Sequence, residues 1–262
     1  MALLETSVIR PRHRGDARIK LFCFHHAGVG SSAFRGWADE PEFQSFAEVG
    51  LIQFPGREGR LRDPLCTSVA TLVPQLTESL LPLLDRPFAF YGHSLGAIVA
   101  FETARSLRRL AHLEPFHLFA GASPAPQLPW LHSPLRSLPE DTFLREVEQR
   151  YGGVPREILA DPEMRALAEA ILRADFSMVE TYSHAQEAPL SCGITVFGGT
   201  RDHMVKRAEL EVWRQQTLGQ FRLQMLNGDH LFLRSCRRQL VQAIAGVLET
   251  CFEVQENVGF SR

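Results

Sequence analysis

Short apolar runs alternate along the chain with longer stretches in which apolar residues recur every three or four positions. Ile19–His25 (IKLFCFH), Val49–Phe54, Phe88–Tyr91 and Pro115–Ala120 (PFHLFA) have the length and the aromatic or β-branched character of buried strands. Each ends at a breaker: the stretch AGVGSS, Pro55-Gly56, Gly92 and Gly121. Val69–Leu84 and Ala97–Leu110 carry helical spacing. The second has Arg105, Arg108 and Arg109 near its end, where the helix dipole favours cations. From about Pro124 to His184 the alternation lapses. No strand pattern stands out there, and PEDTFLREVEQR and DPEMRALAEAILRADFSMVETY read as helices on either side of the breaker YGGVP. Alternation then resumes with strand Cys192–Phe197, helix Ala208–Thr217, strand Phe221–Leu226 and helix Leu231–Phe252.

Strands that alternate with helices imply an α/β fold, with a mostly parallel central sheet and helices on both faces. The helical stretch is expected as an insertion outside the carboxyl ends of the strands, where ligands of such sheets bind. The chain is accordingly expected to divide into a first part of the core (1–123), a helical insertion (124–186), a second part of the core (187–252) and a flexible tail (253–262, EVQENVGFSR).

Composition mainly excludes. A formal net charge of -2 offers no basic excess for nucleic acid. No run approaches the roughly 18 apolar residues of a membrane span, and the first twenty residues lack the pattern of a signal peptide. The five cysteines are widely spaced and form no C-x-x-C, which fits a reducing cytoplasm and disfavours a structural metal site.

The chemistry concentrates at three places. Gly92-His93-Ser94-Leu95-Gly96 fits G-x-S-x-G, with an apolar strand before it and a helix after it. That context makes it a nucleophile elbow, a tight turn that presents a serine hydroxyl at the top of a sheet. A serine hydroxyl needs a base. In this fold the acid and then the histidine follow the serine along the chain, each just past a later strand. Asp202, in GGTRDHM, and His230, in NGDHLFL, hold those positions. Asp229 is a rival acid but adjoins His230, and neighbouring loop residues seldom present side chains that meet. Asp175, in the insertion, is a second rival and reads better as a structural carboxylate. The oxyanion hole is expected from the backbone N–H of Leu95 and, in the loop HHAGVGSS, that of Ala27. His25, His26, His93 and His203 flank these motifs. A phosphate-binding reading of the same loop ranks low, since GVGSS does not complete G-x-G-x-x-G and no P-loop lysine follows.

Seven segments in order resemble the type II thioesterases of nonribosomal peptide and polyketide synthesis: FHHAGVGSSAFRGW, QFPGRE, YGHSLGAIVAFE, LPEDTFLREVEQRYGGVP, ILRADFSMVETY, FGGTRD and GDHLFL. The resemblance spans about Leu21 to Leu248. It implies an α/β-hydrolase fold with a helical lid, and hydrolysis of acyl thioesters on the phosphopantetheine arm of acyl or peptidyl carrier proteins. It implies Ser94, Asp202 and His230 as the catalytic triad, and Ala27 and Leu95 as oxyanion donors. No cofactor or metal is implied beyond the arm carried by the substrate, and the chain is expected to be monomeric. His26, Phe176 and Met178 are expected to touch substrate. The family commonly has a proline-aromatic pair and then AGG where this chain has HHAGVG, which puts substrate preference in question at His26. Methionine is usual at Leu95, a change that matters little to a backbone donor. Because carrier proteins are generally acidic, Arg57, Arg60, Arg62, Arg105, Arg108 and Arg109 are candidates for a basic rim. Alternatives are a carboxylester hydrolase with the same triad and a non-catalytic acyl- or carrier-binding relative. Side-by-side ester and carrier substrates, or labelling of Ser94 by a fluorophosphonate, separate them.

Overall fold

The computed structural model describes residues 7–258, apart from the side chains of Asp141 and of residues 251–258. Among the described residues, seven strands form one sheet: β1 (Val8–Ile9), β2 (Ile19–Phe24), β3 (Ala47–Ile52), β4 (Phe88–His93), β5 (His117–Gly121), β6 (Gly193–Gly199) and β7 (Phe221–Leu226). Their spatial order is β1-β3-β2-β4-β5-β6-β7. β1 pairs antiparallel with β3 and every other pairing is parallel. The helices are α1 (Pro41–Gln44), α2 (Val69–Leu80), α3 (Leu95–Ala111), α4 (Glu140–Tyr151), α5 (Arg156–Ala160), α6 (Pro162–Glu180), α7 (Arg207–Glu211), α8 (Phe232–Ser235) and α9 (Arg237–Val258).

The central strands are apolar on both faces because both faces are covered. Phe22, Phe24, Phe88 and Phe90 point to the side packed by α2 and α3. Their neighbours Leu21, Cys23, Ala89 and Tyr91 point to the other side, toward Trp37, Phe43 and the apolar stripe of α9 (Leu240, Val241, Ile244, Leu248). The stripe of α2 (Val69, Leu72, Val73, Leu76, Leu80) repeats every three or four residues and is buried throughout. Burying a side chain of this kind stabilises by about 1.5–3 kcal/mol.

Register brings the strand ends level. Phe24 pairs with Gly92, His93 with Gly121, Gly121 with Phe197, and Gly199 with Leu226. The loops that leave β2, β4, β6 and β7 therefore emerge on one edge of the sheet. The residues between β5 and β6 form the insertion, whose helices α4 and α6 share a small core of Leu135, Phe143, Leu144, Val147, Leu172 and Phe176. Asp161 caps α6 by accepting from the N–H groups of Glu163 (2.9 Å) and Met164 (3.0 Å).

Several elements depart from the sequence reading. β1 is two residues long and lies below the reach of periodicity. α5 was not expected. The helix expected over Val69–Leu84 ends at Leu80 and tightens into a 3₁₀ turn at Leu81–Leu83, where Pro82 lacks an N–H for the next helical bond. The one expected over Leu231–Phe252 is broken at Cys236 into α8 and α9. α9 continues to Val258, past the Phe252 expected from the sequence, and the remainder of the expected tail lies outside the described residues. The arginines of α3 do not form a rim. Arg105 is buried, bonded to Glu102 and to the Ala185 carbonyl, and Arg108 donates to the Ala188 (2.9 Å) and Pro189 (3.0 Å) carbonyls. With Arg109 on Glu187, they hold the chain that returns from the insertion to β6.

At the β4–α3 turn the helix runs against the sheet with no room for a side chain. A Cβ on Gly96 would fall inside van der Waals contact of the Phe24 carbonyl oxygen, and one on Gly92 inside that of Gly96. Gly96→Ala is expected to destabilise the fold by about 1–3 kcal/mol through this overpacking. Denaturant unfolding that leaves the midpoint unchanged would show the turn to be looser than described.

Candidate active site

Ser94 sits between β4 and α3 with φ 54° and ψ −118°, a conformation sparsely populated by residues with side chains. Its N–H donates to the Gly121 carbonyl (2.7 Å), which pins the turn to the neighbouring strand. The Ser94 Oγ lies 3.0 Å from His230 Nε2, and His230 Nδ1 lies 2.8 Å from Asp202 Oδ2. The carboxylate accepts from Nδ1–H, so Nε2 presents its lone pair to the serine O–H. The second Asp202 oxygen accepts from the N–H groups of Met204 (2.8 Å) and Val205 (3.2 Å), which fixes the carboxylate plane.

The loops that carry Asp202 and His230 are stitched together. The N–H groups of Thr200 and Arg201 donate to the carbonyls of Leu226 (2.8 Å) and Gly228 (2.9 Å). Asp229, the rival acid, turns the other way and accepts from the Leu231 N–H (2.9 Å) at the start of α8. Behind the imidazole, His93 Nε2–H donates to the His230 carbonyl (2.8 Å) and the Tyr91 hydroxyl donates to His93 Nδ1 (3.0 Å). Burial holds the His93 pKa well below the usual imidazole range, so this support carries no charge toward His230. Neither Tyr91 nor His93 was foreseen in this role; the only sequence signal is their alternation on a strand that ends at the serine.

Asp175 is buried and makes a two-pronged ion pair with Arg57: Nη1 to Oδ2 at 2.6 Å and Nη2 to Oδ1 at 2.8 Å. Its Oδ2 also accepts from the Gly28 N–H (2.8 Å). The QFPGRE loop therefore joins the insertion to the loop after β2. Gln53 extends the joint by accepting from the Ser31 N–H (3.0 Å), and Glu58 accepts from the Ser31 hydroxyl (3.0 Å). Arg57 is thus no part of an exposed rim. Arg60 is paired with Asp63, and Arg62 is exposed.

A cavity opens beside Ser94 between the sheet edge and the insertion. Ala27, Leu95, His26 and Phe176 line it, along with Val147 and Leu172 from the insertion. Met178 does not: it is fully buried in the core on the α2/α3 side of the sheet. Two residues along a helix is about 200°, so α6 turns Met178 away from the face that carries Phe176. His25 is likewise interior, donating to the His26 carbonyl (2.9 Å), and His203 is exposed. Among the described residues, no group of three or more His, Cys, Asp and Glu side chains could hold a metal ion, and no helix is long and apolar enough to cross a membrane.

A mostly parallel sheet, a serine on a tight strand-to-helix turn and a helical insertion above the strand ends define an α/β-hydrolase. Residues 19–251 match the model of the thioesterase domain family. The chain belongs to that family and is a hydrolase that acts on thioesters. It is 36% identical to the linear gramicidin dehydrogenase LgrE of Brevibacillus parabrevis over 96% of both chains. It is 38% identical to the gramicidin S biosynthesis protein GrsT of Aneurinibacillus migulanus, over 86% of this chain and 87% of that one. Among solved structures, RedJ, a thioesterase from the prodiginine biosynthetic pathway of Streptomyces coelicolor, superposes with a TM-score of 0.81. The two are 29% identical, over 90% of this chain and 96% of that one.

Proposed function

We propose that this chain is a type II thioesterase that clears acyl groups from the phosphopantetheine arms of carrier proteins in nonribosomal peptide or polyketide synthesis. Ser94 is the nucleophile, His230 the general base and Asp202 its orienting acid. The observation that carries the assignment is the hydrogen-bonded chain Ser94–His230–Asp202, whose serine and histidine line a largely apolar cavity. The names of the relatives, which concern gramicidins and prodiginine, support the biosynthetic setting. The word dehydrogenase in one of them has no counterpart in these residues. The Gly-rich loop after β2 reads HHAGVGSS and leads into a 3₁₀ turn at Ser31–Phe34, not into the helix a dinucleotide requires.

The reaction follows from the geometry. His230 Nε2 takes the Ser94 proton as Oγ adds to the thioester carbonyl. The Ala27 and Leu95 N–H groups hold the resulting oxyanion, helped by the N-terminal end of α3. The C–S bond then breaks, and the departing sulfur takes the proton from His230. Water next adds to the acyl-enzyme with His230 again as base. Cleavage of the C–O bond returns the proton to Ser94 and releases the carboxylic acid. No step requires a metal or redox group.

The test is a panel of carrier proteins loaded with different acyl groups, followed by intact-protein mass spectrometry beside oxygen esters of the same acids. The carriers are expected to lose their acyl groups, and to do so faster than the esters are cleaved. Carriers that stay loaded while the esters are consumed would make the chain a carboxylester hydrolase.

A further inference from the structure

The cavity beside Ser94 has mostly apolar walls, but three of the side chains that line it each carry a polar atom that no protein group satisfies. Among the described residues, His26 Nε2, Trp130 Nε1 and the Tyr151 hydroxyl are buried without a hydrogen-bond partner, and all three side chains line this cavity. They come from three separate segments: the loop after β2, the stretch between β5 and α4, and the end of α4. Buried polar atoms are nearly always paired. Three orphans on side chains that line one pocket point to a ligand that completes them.

Their donor and acceptor roles can be assigned. His26 Nδ1 lies 2.9 Å from the Ala27 carbonyl oxygen, which can only accept, so Nδ1 carries the hydrogen. Burial pushes the His26 pKa down to about 3, so the ring is neutral and Nε2 is a bare acceptor. Trp130 Nε1–H can only donate, and the Tyr151 hydroxyl can do either. Two of the three lie close to the reacting centre. His26 adjoins Ala27 and its ring is 5.8 Å from that of His93, while the Tyr151 ring is 5.0 Å from that of His230. A cationic group fits poorly there, because His230 becomes charged during acyl transfer and Arg234 already acts on His26 as a nearby positive charge.

We propose that this pocket selects acyl groups carrying a neutral N–H or O–H donor on the first carbons beyond the thioester carbonyl. His26 Nε2 accepts from that donor, the Tyr151 hydroxyl bonds a polar atom at the same end of the acyl chain, and Trp130 Nε1–H donates to an oxygen atom farther along it. Peptidyl and hydroxyacyl groups share this chemistry, and saturated acyl chains lack it. The inference rests on the thioesterase reading and adds to it the class of acyl group.

Pantetheine thioesters in isosteric pairs test it. N-acetylalanyl is compared with 2-methyl-4-oxopentanoyl, in which a methylene replaces the amide N–H, and both epimers of 3-hydroxyhexanoyl are compared with hexanoyl. A donor-bearing member is expected to exceed its partner in kcat/KM by about tenfold or more, as in sites built to hydrogen-bond their substrate. The pair that responds tells amide from hydroxyl. His26→Phe, which keeps an aromatic ring and removes the acceptor, is expected to bring that ratio close to one. Trp130→Phe is expected to impair N-acetylalanyl turnover more than hexanoyl turnover. Calorimetric binding of the same pairs to Ser94→Ala reads the preference without turnover. If no thioester is hydrolysed, the proposed function fails, and the binding preference still decides the chemistry of the pocket. Equal kcat/KM within both pairs, equal binding within both pairs, or an unchanged ratio in folded His26→Phe would overturn the inference. Should His26→Phe not fold, the wild-type ratios and Trp130→Phe decide.

Discussion

Replacing Ser94 with alanine is expected to lower thioester turnover by about four to six orders of magnitude, with residual catalysis supplied by the oxyanion donors and by substrate binding. The fold is expected to be unaffected. Among the described residues the Ser94 side chain bonds only to His230, and the turn is held by other means: the Ser94 N–H on Gly121, and the close approach of Gly92 and Gly96. Alanine meets the same backbone strain at φ 54° as serine does, so neither the turn nor the helix behind it loses anything. The remaining imidazole still faces the cavity and can still act on water, but it has no hydroxyl to activate and no acyl-enzyme can form. Single-turnover assays by mass spectrometry should show an acylated intermediate on the wild type and none on the variant. A fluorophosphonate should label the first alone. Turnover within tenfold of wild type would remove Ser94 from the mechanism, whatever the distance to His230.

What could be read from the sequence depended on the range of the signal. The strand–elbow–helix around Ser94 is local, so its pattern and glycines identify it without reference to the rest of the chain. Asp202 and His230, which the structure brings into one hydrogen-bonded chain with Ser94, could be proposed from the sequence because the fold fixes their order and each follows a recognisable strand. Pairing across distant segments left no such mark. Asp175 reads as structural, but nothing in the sequence joins it to Arg57, 118 residues away, and the charge of Arg57 alone suggests an exposed rim. Apolar character and a shared helix do not separate Met178 from Phe176. Which of them faces the cavity depends on how α6 is rotated, and the tertiary packing sets that. The orphaned polar atoms of Trp130 and Tyr151 are likewise defined by what surrounds them, and no residue type or spacing announces that.

The Arg57–Asp175 pair supplies the second large effect. Asp175→Ala is expected to cost about 3–5 kcal/mol, because it leaves a guanidinium buried without its counter-charge. Arg57 is 2% exposed in its side chain and Asp175 0%, so water cannot take over the lost bonds. The same change removes the acceptor of the Gly28 N–H, in the loop that carries the proposed oxyanion donor Ala27. Stability and catalysis should therefore fall together in the single variant. They should separate in the double variant Arg57→Met with Asp175→Leu. Apolar side chains of similar volume can replace a buried ion pair at little cost or with a gain in stability, so the denaturant midpoint should largely recover. Turnover should not, because no leucine atom accepts from the Gly28 N–H and the loop after β2 is no longer held to α6. Loss of one oxyanion donor costs about two to three orders of magnitude in kcat elsewhere, which bounds the deficit if Ala27 moves out of reach. A double variant that regains both stability and kcat would reduce the pair to a structural clasp. An Asp175→Ala variant that unfolds at the wild-type midpoint would mean that the charges are not as buried as their contacts indicate.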